Sequence, residues 1–366
     1  MNLIDSFNLL LAQRQVMLSS FQCMPKNVED NTQSLLVILN MIQQKNDIAW
    51  PLLNAKNRSE IIDAFVTDKR YSLIDKVVIL PLLLKIHLKN QVLEQVNIIQ
   101  TLFASHLLDT GQCGSTFAFM ASQLEFDKVN FTASNKTPEQ IQQYILFCIY
   151  QGKRLKRTDG IDTPHSSRST LTSLYLEMLM INIHDPLKIY RLFSELDYCH
   201  SALFEVFITS LDEPMVTQVF NLMSQNTDLT LRVIELMGYS GFSQFVPFLA
   251  RAMQQPTQTL IAFRSLRTIL GAELDQAVPY QWQFEEDEAE RCEYLQFYSA
   301  KLLHRWMLLA PKIPEVRLIN GIEVNVASID KIINNSSPVH QKVAFLHKLR
   351  LKNVVNITPQ RAKIAL

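Results

Sequence analysis

The chain has 366 residues, 48% hydrophobic and 19% charged, and its 35 basic and 35 acidic side chains cancel. A zero net charge excludes a general nucleic-acid binder, which would carry a basic stripe. Only 8 glycines and 14 prolines, with few stretches of alternating hydrophobicity, exclude a sheet-rich fold and point to helices with short joints, in roughly two or three domains.

The first predicted helix covers 2–20, where Leu3, Phe7, Leu10 and Leu11 share one face. Its start lacks the basic residues and small-residue cleavage site of a signal peptide. Helices near 31–45, 58–67, 72–87, 91–108 and 115–124 follow. The most apolar run, Val77 to Ile86, contains Pro81 and Lys85 and is too short for a bilayer, so no membrane insertion is expected. Residues 109–119, DTGQCGSTFAF, resemble the nucleophile segment of papain-like peptidases. The match keeps only scaffolding. Aligned on Cys113-Gly114-Ser115, the nucleophilic thiol falls on Thr116 and the oxyanion-hole glutamine on Thr110. The expected histidine roughly 130–150 residues downstream is missing, since none lies between His200 and His304. The segment is better matched inside the chain. Thr110-Gly111 with Ala118-Phe119 lines up with Ser240-Gly241 and Phe248-Leu249, a glycine-ended helix followed by the next helix.

After gaps near 125–137 and 152–167, further helices are predicted at 138–151, 168–181, 186–195, 201–210, 214–224, 228–238, 243–253 and 257–270. Thr137-Pro138-Glu139 opens one of them with proline in its first turn, and Asp228, Ser243 and Thr257 are candidate N-caps. The basic run Lys153-Arg154-Leu155-Lys156-Arg157 opens a polar loop and is read as solvated. Phe245, Phe248, Leu249 and Met253 are spaced to form one apolar face, and Pro247 suits a first helical turn.

Beyond 271 the composition shifts. The linker Ala277 to Phe284 carries aromatic residues, and Glu285-Glu286-Asp287-Glu288 then suits a helix start, where negative charge complements the dipole. Helix 289–309 bears Tyr294, Phe297, Tyr298, Leu302 and Trp306, an aromatic face expected in the core. Arg317 to Ile322 read as a turn joining two short extended pieces near 316–325. Helices 326–334 and 338–351 close the chain.

Met237-Gly238-Tyr239-Ser240-Gly241 followed by Val246-Pro247-Phe248-Leu249 resembles the HEAT-repeat pattern, with Gly238 and Gly241 read as bracketing the turn between paired helices. Arg232 lies closer to Gly238 than the usual spacing and predicts a slightly short helix. Several motifs then follow in order. They are Leu-Gly-Ala-Glu-Leu at 270–274, the acidic linker, Trp306, Arg317-Leu318-Ile319-Asn320-Gly321, and a closing helix with Gln341, Ala344 and Leu346. This order, over about 228–350, resembles a bacterial HEAT-repeat family associated with type VI secretion gene clusters. The expected fold is all-α, an α-solenoid of HEAT-like helix pairs. The expected organisation is an N-terminal helical block over 1–151, a HEAT-like array over 168–271, and an acidic linker with a helical cap over 272–366. The resemblance implies a non-catalytic interaction scaffold, acting as an adaptor, chaperone or accessory protein of type VI secretion. An immunity protein that neutralises a toxin, and a secreted effector or enzyme, are the alternatives.

The remaining chemistry is sparse. Cys23, Cys113, Cys148, Cys199 and Cys292 are widely spaced, odd in number and without ligand pairs, which suits reduced thiols in a cytoplasmic protein. His184-Asp185 and Cys199-His200 are adjacent pairs, which diverge by about 100° on a helix, and His304, His340 and His347 are scattered. No metallopeptidase, serine-hydrolase, P-loop or dinucleotide motif occurs. Neither catalytic residues, nor a cofactor, nor a metal site are expected. The partners expected are other proteins.

Overall fold

A computed structural model describes residues 3–44, 185–279, 287–309 and 316–361. Sequence readings on Thr110 to Phe119, Cys148, Lys153 to Arg157, Thr137 and His184 lie outside these residues. The chain divides into two compact units. One holds Met1–Met17, Lys26–Asn182 and His200–Leu203; the other holds Leu18–Pro25, Ile183–Cys199 and Phe204–Leu366. The described residues are mostly helical, in keeping with the all-α reading, and none of their helices is long and apolar enough to cross a membrane.

In the first unit, α1 (Leu3–Ser19) and α2 (Pro25–Gln44) meet through Phe7, Leu11 and Leu35. Helix α2 starts six residues before the predicted 31, because Pro25 presets the first-turn dihedral and needs no N–H partner. Between the helices Arg14 donates to Thr32 Oγ1 at 2.6 Å, and Asn31 donates to the Leu10 carbonyl at 3.0 Å.

The second unit begins with α3 (Pro186–Glu195), α4 (Ala202–Ser210) and α5 (Glu213–Met223). Asp185 and Asp212 cap α3 and α5 by accepting from Lys188 N and Met215 N, each with proline just inside the helix. Phe193, Phe204 and Phe207 pack with centroids 4.9 to 5.6 Å apart and are fully buried. Then come α6 (Thr230–Ser240), α7 (Val246–Ala252) and α8 (Thr259–Leu270), the first two entered through short 3-10 turns.

Three predicted caps are corrected here. Asn226 caps the turn before α6 by accepting from Asp228 N, Ser243 lies inside the 3-10 turn before α7, and Gln258 stands at the start of α8. In each case a preceding turn displaces the boundary from the hydroxyl or carboxylate that marks it in sequence. Gly238 also departs from expectation. It lies inside α6, where a Cβ would come 2.8 Å from Ser265 Cα, so its role is to let α6 and α8 approach closely. Gly241 does end the helix, with φ of 75°. Pro247 sits in the first turn of α7 as expected. Phe245, Leu249 and Met253 are buried, but Phe248 is half exposed, because 3-10 geometry at Ser243–Phe245 breaks the assumed period.

Helix α9 (Glu288–Leu309) is capped by Asp287, whose carboxylate accepts from Ala289 N at 2.7 Å. Strands β1 (Leu318–Ile319) and β2 (Ile322–Glu323) form the antiparallel hairpin read from the sequence, turning through Asn320 and Gly321, both at positive φ. Helices α10 (Ile329–Asn335) and α11 (Pro338–Arg361) follow. The hairpin tip closes α8, since Asn320 N donates to the Thr268 carbonyl and Gly321 N to that of Ile269. Leu318 N donates to the Gly241 carbonyl at 2.7 Å. Backbone acceptors at two helix ends are thereby satisfied by a segment distant in sequence.

Candidate functional site

Three polar constellations occupy the second unit. The deepest lies under the hairpin. Arg317, at the start of β1, donates to the carbonyls of Thr209 (2.9 Å), Leu211 and Ser240 (3.3 Å), and stacks 4.2 Å from the Phe242 ring centroid. These carbonyls end α4 and α6, where helix dipoles concentrate negative potential, so the cation replaces water at two helix termini. Burial, with Arg350 nearby, pulls its pKa down to about 9, so it remains a cation at neutral pH. His347 completes this knot. Its Nε2–H donates to the Tyr239 carbonyl at 2.8 Å, which leaves Nδ1 to accept from Arg317 at 3.4 Å. Burial and the Arg317 charge hold His347 well below the usual histidine range. His340 is bound similarly, with Nε2–H donating to the Arg267 carbonyl (3.0 Å) and Nδ1 accepting from Ser337 (2.8 Å). Burial lowers its pKa to about 4. Both histidines are fold elements, and the backbone they hold belongs to α6 and α8.

The second constellation ties α4, α6 and α11 together. Buried Glu205 lies 3.4 Å from Arg232 and 3.1 Å from Lys342. Arg232 also pairs with Glu235 at 2.5 Å and donates to the Cys199 carbonyl at 3.1 Å. Burial alone would lower the Arg232 pKa, but Glu205 and Glu235 outweigh it and the net shift is upward. Arg232 thus has a specific partner set. Tyr239 donates to Glu235 at 3.3 Å; burial raises its pKa to about 12 and keeps the phenol protonated.

The third is open. A cleft of about 660 Å³ lies over α6 and α8, bounded also by the segment Ser19–Gln22, the start of α9 and Val339 of α11. This volume falls in the usual range for ligand pockets, about 300–1,000 Å³. Phe21, Leu260, Ile261, Phe263 and Val339 provide apolar walls. The polar lining includes Glu235, Arg264, Arg267, Glu288 and Arg291. Arg267 is engaged by a bidentate pair with Asp275, and Glu235 by Arg232 and Tyr239. Arg291 lies 4.0 Å from Glu288, and its buried Nε has no partner among the described residues. The Arg264 guanidinium is exposed, with no hydrogen bond or ion pair among the described residues.

The expected aromatic face of α9 is split. Leu302 and Trp306 are buried, whereas Phe297 is 76% exposed and meets Tyr298 edge-on, and Met307 and Leu308 are also exposed. Cys23 and Cys199 are buried, and burial with the Asp197 charge raises the Cys199 thiol to about 11. His200 and His304 are exposed. Among the described residues no group of three or more His, Cys, Asp and Glu is placed to hold a metal ion. Of the cleft residues the sequence pointed only to Tyr239 and Glu288, and for other roles, because the lining comes from five segments with no shared spacing. Comparison of the chain with protein-family models, curated proteins and solved structures yields no match.

Proposed function

We propose that the chain is a non-catalytic interaction scaffold, a solenoid of HEAT-like helix pairs that serves bacterial type VI secretion as an adaptor, chaperone or accessory protein. The observation that carries the binding role is the cleft over α6 and α8, with apolar walls and an exposed arginine, Arg264, that has no partner among the described residues. Apolar side chains clustered at a surface and rimmed by polar ones mark an interaction site. Exposed Phe297, Met307 and Leu308 on α9 add a second apolar surface. The secretion link rests on the ordered motifs from Gly238 to Leu346, with Arg317 and Asn320-Gly321 among them.

Affinity purification of the tagged full chain from its native host, with mass spectrometry, tests this reading. Sheath, spike or baseplate components, or a spike-borne effector, are the expected companions. A single toxin-like protein at equal stoichiometry without apparatus components would favour the immunity role instead.

A further inference from the structure

We infer that the cleft over α6 and α8 receives an extended peptide segment of a protein partner, one that places a carboxylate side chain beside an apolar residue. The inference deepens the scaffold reading and rests on it.

Charge decides the polar half of this ligand. Three arginines face two glutamates in the lining. Arg267 is neutralised by Asp275 and Glu235 by Arg232, which among the described residues leaves Arg264 with no counter-charge and Arg291 with a loose 4.0 Å pair and an unpartnered Nε. The unmet demand is for an anion, and a carboxylate matches the fork of a guanidinium. The walls decide the apolar half. Phe263 is buried along one side of α8, and Leu260 and Ile261 stay partly open beside Arg264 on the same helix. An inorganic anion would leave these walls wet, whereas a chain alternating acidic and apolar side chains covers both. Two of the lining side chains are held in place. Tyr239 is held by its bond to Glu235, and Phe21 is braced edge-on against the His340 ring at 5.3 Å. Fixed walls reduce the ordering cost on binding.

The test is a random heptapeptide phage library selected on the immobilised full chain, with recovered clones remade as synthetic peptides. The expected result is enrichment of Asp or Glu next to an apolar residue. Affinity should fall about tenfold or more for Arg264→Glu, fall less for Arg264→Lys, and weaken as salt is raised. Clones without acidic enrichment, peptides that bind Arg264→Glu as well as wild type, or no selected clones would each overturn the inference. Competition by inorganic phosphate alone, without peptide enrichment, would make the cleft a small-anion site and also overturn it. The two readings separate cleanly. If Arg264→Glu still co-purifies the apparatus components, the scaffold stands and the cleft assignment falls. If peptides bind but no component co-purifies, the reverse holds.

Discussion

Arg317 and Arg264 sit in the same unit and have opposite situations. Arg317 is buried, ringed by helix-end carbonyls and stacked on Phe242, so both of its terminal nitrogens close part of the fold. Arg264 projects from α8 with no partner among the described residues, beside apolar side chains that are only partly covered. A cation in low dielectric persists only when its hydrogen bonds are complete, whereas one in water can remain unpaired at little cost. The first kind therefore reports on stability and the second on recognition.

Perturbing the buried knot should have the largest effect. Arg317→Met would leave three helix-end carbonyls without donors and is expected to cost about 3–5 kcal/mol, read as a lower urea midpoint. An unchanged midpoint would mean that water replaces the guanidinium without penalty.

Acid should attack the same region. His340 titrates near 4 in the fold against an ordinary 6.5, so the unfolded chain binds the proton first as pH falls. Stability is complete above about pH 6.5 and declines toward pH 4, by about 3 kcal/mol from this group alone. His347 shifts in the same direction and adds to the loss. Urea midpoints measured between pH 7 and 4 check this, and a flat profile would show that neither ring is held neutral by burial.

Helix contact comes next. Gly238→Ala would push a methyl 2.8 Å from the Ser265 backbone and is expected to cost about 1–3 kcal/mol by separating α6 from α8. A melting temperature equal to wild type would contradict the close approach.

Much of the second unit could be read from its residues. The ranges read for α3 and α5 fall within a residue of those observed, and Pro247 marked the first turn of α7, because proline constrains its own dihedral locally. The Asn-Gly turn marked the hairpin for the same reason. What the hairpin does was not legible, since Arg317 reaches carbonyls more than 70 residues away and no local pattern encodes that. Gly238 misled in a similar way, because a glycine that admits a neighbouring helix looks in sequence like one that ends its own. His340 and His347 gave no signal of burial until packing brought the backbone of α8 and α6 to them. The cleft was hidden altogether, since Arg264, Glu235 and Phe21 meet only after folding.

The division between the two arginines is tested most directly by urea unfolding of wild type, Arg317→Met and Arg264→Glu side by side at pH 7. The account predicts a large drop for Arg317→Met and, for Arg264→Glu, a midpoint equivalent to within about 0.5 kcal/mol of wild type, as for other surface substitutions. Comparable destabilisation by both variants would place Arg264 in the fold and remove the basis for assigning it to a partner.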